Sequence, residues 1–384
     1  MFCQRIDTGA PHRASVPEHG DRRGCARQSD VGTPSTLALM RAAVMRAFAQ
    51  PLAVEAVRDP DVPPDGAVIE VRATGLCRSD WHGWMGHDAA IGLPHVPGHE
   101  LAGVVAAVGA EVRGVRPGDR VTVPFCCGCG RCEPCRQGHT QLCDVDHQPG
   151  FSAWGSFAEL VAVPAADLNC VRLPDSVEFD AAAALGCRFM TAFAAVGVRG
   201  RVGPGEWLAV HGCGGVGLSA VMLGKALGAE VVAIDVKERA LALALELGAA
   251  HAIDARADDP ARAIEELTDG GAHVSIDALG SAATCAGSVR CLRKRGRHVQ
   301  AGLLVGAEAE PPVPMAKVIS HELEILGVHG MAVGHYAALL RLVASGTVRP
   351  GRLITRRMAL SDVAGALAAM GRGEIDGITV IDRF

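Results

Sequence analysis

The chain has 384 residues, of which 49% are hydrophobic and 21% charged, and its formal net charge is −5. This length allows two domains with sizeable cores, and the composition is that of a folded globular protein. The negative charge and an aromatic content of 4% disfavour nucleic acid as a partner. We find no apolar run that approaches the length of a membrane span, so we also expect no membrane partner.

Residues 1–39 are rich in Arg, Gly, Pro, Ser and Asp and lack a periodic apolar pattern. We expect a disordered tail, or a start codon placed upstream of the native one. The segment has no apolar core typical of a secretion signal, and its acidic residues argue against a transit peptide. The 14 cysteines cluster with two-residue gaps, which favours metal thiolates in a reducing compartment. We therefore expect a cytoplasmic protein.

From Met40 to about Ala165, short β-type runs such as Ala67–Ala73 and 103–108 alternate with Gly and Pro turns. This pattern indicates a compact antiparallel, barrel-like domain. Helix-length apolar patterns begin near Ala181, and beyond Trp207 strands and helices alternate regularly. That alternation is typical of βαβ units, so it predicts a parallel sheet covered on both faces.

A first candidate metal site lies around residues 75–100. Cys77 and His99 offer a thiolate and an imidazole, which are ligands that zinc prefers, and Cys187 is our candidate for the third ligand. Three protein ligands with an open fourth position are typical of a catalytic zinc. Cys77 and His99 could instead be core residues. Glu100 could support the site, ligate transiently or form an ordinary salt bridge.

A second cysteine array has the spacing C-x₂-C-x₂-C-x₇-C within residues 125–145. Its members are Cys129, Cys132, Cys135 and Cys143. Four thiolates close a tetrahedral site, so we expect a structural zinc that folds a lobe rather than a catalytic one. An iron–sulfur cluster is an alternative, because such clusters also use four cysteines. Cys126 and Cys127 are surplus to this array.

A nucleotide-binding turn follows the strand at Trp207–His211, where the sequence reads G-x-G-x-x-G. The turn comprises Gly212, Gly214, Gly215, Val216 and Gly217. In such a turn the first glycine permits a tight bend, the second lets the backbone approach a pyrophosphate, and the third allows close packing of helix on strand. Asp235 ends the next strand, where a carboxylate can hold the ribose hydroxyls of NAD and repel the 2′-phosphate of NADP. The nearby cations Lys237 and Arg239 oppose that preference. Gly302 and Leu303 follow a later strand and either offer backbone groups to the nicotinamide carboxamide or form an ordinary turn.

Together these features resemble the zinc-containing medium-chain alcohol dehydrogenases, over roughly Met40 to the C-terminus. The resemblance implies a GroES-like catalytic domain, residues 40–187 and 327–384, interrupted by a Rossmann NAD-binding domain, residues 188–326. It implies the three catalytic-zinc ligands and the four structural-zinc ligands proposed above. We therefore expect two zinc ions and one NAD per chain.

The resemblance also implies roles around the reacting alcohol. Ser79 passes the alcohol proton onward, His82 exchanges it with solvent, and Asp80 orients the ligating histidine. Arg78 contacts the cofactor pyrophosphate, and Thr191 lies beside the nicotinamide. The resemblance allows dimers and tetramers.

The leading interpretation is reversible hydride transfer between NAD and a primary or simple secondary alcohol, giving an aldehyde or ketone. A polyol, an amino-alcohol or a formaldehyde adduct is an alternative substrate. Trp84 and Phe125 could line an apolar pocket, or they could be plain core residues. A non-catalytic zinc- and nucleotide-binding protein would not need Ser79 and His82, and a quinone reductase would not need the zinc ligands.

Overall fold

The computed structural model describes residues 38–384, so the predicted tail at 1–39 lies almost wholly outside the described part. Leu39 already opens the first strand. The strands are β1 (Leu39–Val44), β2 (Ala53–Arg58), β3 (Ala67–Leu76), β4 (Glu100–Val108), β5 (Arg120–Thr122), β6 (Leu160–Val163), β7 (Val171–Arg172), β8 (Trp207–His211), β9 (Glu230–Asp235), β10 (His251–Asp254), β11 (Ala272–Asp277), β12 (Leu292–Gln300), β13 (Glu324–Gly327), β14 (Ile354–Ala359) and β15 (Ile378–Arg383).

The α-helices are α1 (Arg78–Trp84), α2 (Glu133–Arg136), α3 (Ala166–Asn169), α4 (Phe179–Ala184), α5 (Met190–Phe193), α6 (Gly215–Ala226), α7 (Glu238–Leu247), α8 (Pro260–Thr268), α9 (Ala282–Arg290), α10 (Met315–His321), α11 (Tyr336–Ala344) and α12 (Val363–Gly371). Short 3₁₀ turns occur at Thr140–Leu142, Gly306–Glu308, Val333–His335, Pro350–Leu353 and Leu360–Asp362. Two π-helical segments, Leu185–Phe189 and Ala194–Arg199, flank α5.

The long strand β3 organises the first sheet. The strand order is β14-β15-β3-β4-β5-β7, and β6 also pairs with β3. All pairs except β14–β15 are antiparallel, as the turn-rich sequence predicts. The C-terminal strand β15 pairs with β3 beside Leu76, so the chain returns to this sheet after the second one is complete.

The second sheet is wholly parallel, with the strand order β10-β9-β8-β11-β12-β13. Its inner strands are apolar and buried, because helices cover both faces. The order reverses between β8 and β11, and the crevice beyond the carboxyl ends of such strands is where α/β sheets bind ligands. Strand β13 ends this sheet at Gly327, where we expected the chain to leave it.

A helical run of 21 residues, Phe179–Arg199, connects the two sheets. It is long and apolar enough to cross a membrane, so our statement about apolar runs is wrong for this segment. However, 72% of its apolar window is buried inside the protein, as in the core helix of a folded domain. The run is kinked at Gly186, whose ψ of −140° is non-helical, and the kink precedes Cys187. A Cβ on Gly186 would overlap the side chain of Glu100, so glycine permits this close approach.

Candidate active site

Three chain segments bring four metal-binding side chains together. Cys77 caps α1, His99 immediately precedes β4 and Glu100 begins it, and Cys187 follows the kink at Gly186. One potential ligand atom from each of the four lies within 4.8 Å of all the others. Two thiols and an imidazole form a donor set suited to zinc. The residues selected from the sequence therefore converge, including the distant Cys187.

His99 is oriented for ligation by its neighbour Asp80. Its Nδ1 lies 2.8 Å from Oδ1 of Asp80, and both side chains are fully buried. Asp80 also accepts hydrogen bonds from the backbone N–H groups of Cys77 and Gly98, at 2.8 and 3.2 Å. The other ring nitrogen of His99, Nε2, is buried and has no hydrogen-bond partner within residues 38–384. A buried, unpaired nitrogen beside two thiols fits a metal ligand.

The two thiols of the cluster differ in acidity. The hydrogen bond from Cys187, together with the nearby Arg188 cation, holds the pKa of Cys77 well below its ordinary value, although burial opposes this. The same bond and burial raise the pKa of Cys187. Burial disfavours a charged imidazole, yet Asp80 holds the pKa of His99 well above its usual range. One thiolate is thus stabilised in the cluster before any second thiol ionises.

Glu100 is held by Arg188, a residue that the sequence analysis did not select. The Arg188 backbone N–H and Nε donate to Glu100 Oε1 at 3.1 and 3.0 Å, and Nη2 donates to Oε2. The Glu100 side chain is fully buried and the Arg188 side chain is 7% exposed. The sequence allowed Glu100 to support the metal site, to ligate transiently or to form a salt bridge, and the structure contains the salt bridge. The sequence did contain one indication of this partner, because Arg188 is a charged residue within the apolar stretch that follows Cys187.

The second cysteine array also converges. One Sγ atom from each of Cys129, Cys132, Cys135 and Cys143 lies within 4.8 Å of the others. Although burial opposes ionisation, the backbone N–H groups of Arg131 and Cys132 lower the pKa of Cys129 to about 6. Sγ of Cys143 accepts hydrogen bonds from two further backbone N–H groups. Backbone donors directed at sulfur fit thiolates that bind a metal. By contrast, the surplus Cys126 and Cys127 are buried, and burial raises the pKa of both.

The glycine turn has the geometry expected of a pyrophosphate site. Gly212 has a φ of +92°, in the left-handed region that favours glycine. A Cβ on Gly217 would overlap the carbonyl oxygen of Gly212, whereas a Cβ on Gly214 would have no described atom within 4 Å. Gly214 is therefore free to face a ligand. Gly215 and Val216 begin α6, whose N-terminal N–H groups point into this space.

Arg188 also joins this turn to the metal cluster. A Cβ on Gly215 would overlap the Cδ atom of Arg188, so the arginine lies against the first turn of α6. The same arginine binds Glu100 beside the metal ligands. Thr191, 7% exposed, lies one helical turn beyond Cys187. The metal cluster and the nucleotide turn are thus neighbours in one cleft.

Asp235 supports the glycine turn through its carboxylate. Its Oδ2 accepts a hydrogen bond from the backbone N–H of Cys213 at 2.6 Å, and its Oδ1 accepts from Val236 and Lys237. The two nearby cations are already engaged. Lys237 Nζ donates to the carbonyl oxygen of Gly373 at 2.9 Å, and Arg239 lies 3.5 Å from Asp376.

The remaining predicted cofactor residues are Arg78, Gly302 and Leu303. Arg78 starts α1, donates to the carbonyl oxygen of Met370 at 2.7 Å and stacks on the Trp81 ring at 4.2 Å. Gly302 packs so closely against Gly280 that neither could carry a Cβ without overlap. Leu303 is 56% exposed.

Helix α1 carries the two predicted proton-transfer residues. The Ser79 hydroxyl lies 3.8 Å from Sγ of Cys77. His82 follows three residues later, which places it on the same helix face. Its Nδ1 lies 3.0 Å from Nδ1 of His87, a residue that the sequence analysis did not select. Burial, aided by the nearby Arg78 and His87, lowers the pKa of His82.

Two aromatic rings contact the imidazole of His99. Phe125 lies 6.0 Å from it and Phe151 lies 5.0 Å from it, measured between ring centroids. Phe151 was not selected from the sequence. Trp84 donates from Nε1 to the carbonyl oxygen of Gln50 at 2.6 Å and packs at the edge of an apolar cluster. Its pocket role stays a prediction.

Comparison with known proteins gives matches across both sheets. The model of the alcohol dehydrogenase GroES-like domain matches residues 63–175, and that of the zinc-binding dehydrogenases matches residues 215–345. An alcohol dehydrogenase of Rhizobium meliloti (strain 1021) is 35% identical over 349 residues, covering 89% of this chain and 98% of the relative. One of Geobacillus stearothermophilus is 33% identical over 344 residues, covering 89% and 99%.

A solved alcohol dehydrogenase structure, from Thermus sp. ATN1, superposes with a TM-score of 0.83 at 30% identity, covering 90% of this chain and 100% of that one. The matches therefore include the strands and turns that position both cysteine clusters and the glycine turn. With the converged zinc-type donors beside a nucleotide turn, they lead to one conclusion. The chain belongs to the zinc-containing medium-chain alcohol dehydrogenase family.

Proposed function

We propose that this zinc-dependent alcohol dehydrogenase transfers hydride reversibly between NAD and a primary or simple secondary alcohol. The main observation in support of this proposal is that Arg188 contacts both Glu100, beside the metal ligands, and the first turn of α6. That contact supports an alcohol and a nicotinamide meeting in one cleft. Zinc held by Cys77, His99 and Cys187 would supply Lewis acidity to an alcohol or carbonyl oxygen, while the nicotinamide would exchange hydride.

The chain's own residues would manage the proton and exclude water. Asp80 holds the His99 ring so that Nε2 faces the cluster. Ser79, beside Cys77, can accept a proton from the reacting hydroxyl, and His82 can take it one turn further along α1. Phe125 and Phe151 form an apolar wall at His99, which favours an uncharged, apolar alcohol over a polyol.

A preference for NAD over NADP is supported by the charges around Asp235. A carboxylate at this strand end repels a 2′-phosphate. Lys237 and Arg239 could attract that phosphate; Lys237 donates to the carbonyl oxygen of Gly373, and Arg239, 86% exposed, is paired with Asp376, so the preference depends on Asp235. We therefore propose NAD as the cofactor.

A second zinc in the lobe of Cys129, Cys132, Cys135 and Cys143 is supported by the converged sulfurs and their backbone donors. This ion would stabilise the lobe without taking part in chemistry. The cysteines within residues 38–384 form no disulfide, which is consistent with a cytoplasmic protein.

A homo-oligomer is supported by the free edge of the parallel sheet. Within residues 38–384, strand β13 pairs only with β12. Exposed apolar side chains occur on β13 and in the segment between β12 and β13; they are Leu303, Val305, Met315, Ile319 and Ile325. An exposed apolar edge strand is prone to pair with another chain. We propose that a second copy of this chain covers it.

The test combines metal analysis with a spectrophotometric assay. We expect two zinc ions per chain in the purified protein, one in a Cys187→Ser variant, and NADH formation only in the former. NAD should give a higher kcat/KM than NADP with butanol or benzyl alcohol. A single zinc or any iron in the unmodified protein would contradict the metal assignment, and equal use of both cofactors would contradict the NAD assignment.

A further inference from the structure

The end of helix α1 brings two histidines together. Gly86 has a φ of +79°, its N–H donates to the carbonyl oxygen of Gly83, and the N–H of His87 donates to that of His82, both at 3.0 Å. This is a glycine-terminated helix end of the Schellman type, in which the residue after the glycine returns to the last turn. The backbone of residues 82–87 therefore brings the two histidines close together.

The two imidazoles are hydrogen-bonded through Nδ1, at a distance of 3.0 Å. In this bond one ring donates and the other accepts. Because Nδ1 of His82 is used in it, Nε2 is the ring nitrogen of His82 that stays open to another group. His82 is half-buried, whereas His87 is exposed. The Trp81 ring contacts both imidazoles edge-on, at centroid distances of 4.9 and 5.6 Å. The pair thus spans the distance from the interior to solvent.

The charges around the pair favour passing a proton outward. Besides His87, the titratable groups that act on His82 are Arg78, which disfavours a protonated imidazole, and Cys77, which favours it. The Arg78 guanidinium lies over the Trp81 ring, 4.2 Å from its centroid. Burial and the Arg78 cation disfavour a proton held on His82, whereas the exposed His87 is solvated.

We propose that His87 is the outer member of the proton relay and delivers to solvent the proton that His82 receives. This rests on the proposed relay role of His82. An N–H bond forms at His82 Nε2 while its Nδ1–H bond breaks, and that proton passes to Nδ1 of His87. His87 then loses its Nε2 proton to water. Between turnovers these transfers reverse, and His82 releases its Nε2 proton to water entering the ligand-free cleft, which restores both tautomers.

The test compares His87→Gln and His82→Gln with His251→Gln, a variant of an exposed histidine remote from α1. Near neutral pH, His87→Gln should lower kcat for alcohol oxidation about threefold to tenfold, and His82→Gln by up to about 100-fold, within the range of acid–base contributions. Both losses should disappear in alkali, where hydroxide accepts the proton, and added imidazole should restore His87→Gln. His251→Gln should match the unmodified protein.

A backbone variant gives a second, independent arm. Gly86→Ala disfavours the left-handed turn and places a Cβ 3.0 Å from the Phe48 ring, so it should reproduce the His87→Gln profile. Gly92→Ala is the matched control, because a Cβ there has no described neighbour within 4 Å.

Either of two results would overturn the role of His87, and a third would overturn the relay itself. If His82→Gln shows the pH-dependent loss and His87→Gln does not, the relay ends at His82, and only the role of His87 is wrong. A loss in His87→Gln that is equal at every pH would mean a structural role. If His82→Gln also lacks pH dependence, the proposed relay itself is wrong.

Discussion

The Arg188 guanidinium forms an ion pair with Glu100, whose fully buried carboxylate lies beside the described metal ligands. Burial raises the pKa of Glu100, and Arg188 opposes that rise. A buried ion pair adds little net stability, but removal of one partner leaves an uncompensated charge. Loss of Arg188 would therefore leave the buried Glu100 carboxyl without its partner.

At this residue, we predict that Arg188→Met lowers the free energy of unfolding by about 3–5 kcal/mol, the usual cost of breaking a buried pair. The control is Arg357→Met, which breaks a half-exposed pair with Asp180 and should cost at most about 1 kcal/mol. Urea denaturation measures both. A double variant with Glu100→Gln should recover part of the loss, and no recovery would contradict the charge explanation.

Asp235 allows a second residue-scale prediction. Asp235→Ser should shift the ratio of kcat/KM toward NADP, because it removes the repulsive charge. It also removes the acceptor for the Cys213 N–H, so we expect a higher KM for NAD as well. Asp235→Asn keeps an acceptor and should separate the two effects. An unchanged NAD-to-NADP ratio in both variants would mean that another residue selects the cofactor.

At the scale of elements, strand β8 ends in a buried histidine immediately before the glycine turn. His211 is 2% exposed, its Nε2 lies 3.6 Å from Sγ of Cys291, and burial lowers its pKa to about 4, with Asp277 opposing. Its pKa in the unfolded chain is about 6.5. Between these values the unfolded state binds a proton that the folded state does not, so stability falls as the pH falls.

We therefore predict that lowering the pH from 7.5 to 5 reduces the free energy of unfolding by about 2 kcal/mol through His211. The measurement is urea denaturation at both pH values for the unmodified protein and for His211→Asn. The difference between the two proteins isolates this histidine, because metal loss and the other titrations are common to both. Equal losses would show that His211 is not the group responsible.

At the scale of the molecule, the free edge at β13 makes assembly testable. Ile325 is 43% exposed on this strand, and a charge there should prevent a second copy from pairing. We predict that Ile325→Lys lowers the molar mass measured by light scattering, whereas Leu245→Lys, on α7, leaves it unchanged. If the unmodified protein is monomeric, or if Ile325→Lys keeps its mass, this interface is wrong.

The sequence alone determined the two layers of this fold and the chemistry of its ligands. Strand and helix periods, the glycine turn and the two-residue cysteine gaps are local patterns, and each constrains backbone or donor type over a few residues. The cysteine array at residues 129–143 and the turn at 212–217 needed nothing further. The position of Cys187 needed the family resemblance, because no local pattern links it to Cys77.

Only the tertiary structure decided which distant side chains meet. The pairing of Arg188 with Glu100, the support of Cys213 by Asp235, and the engagement of Lys237 with Gly373 join segments that are far apart in the chain. Such contacts depend on which strands pair and how the sheets pack, and local periodicity encodes neither. Even the neighbouring pair His82 and His87 required the left-handed turn at Gly86 to be seen, because hydrogen-bond geometry rather than residue type brings the two rings together.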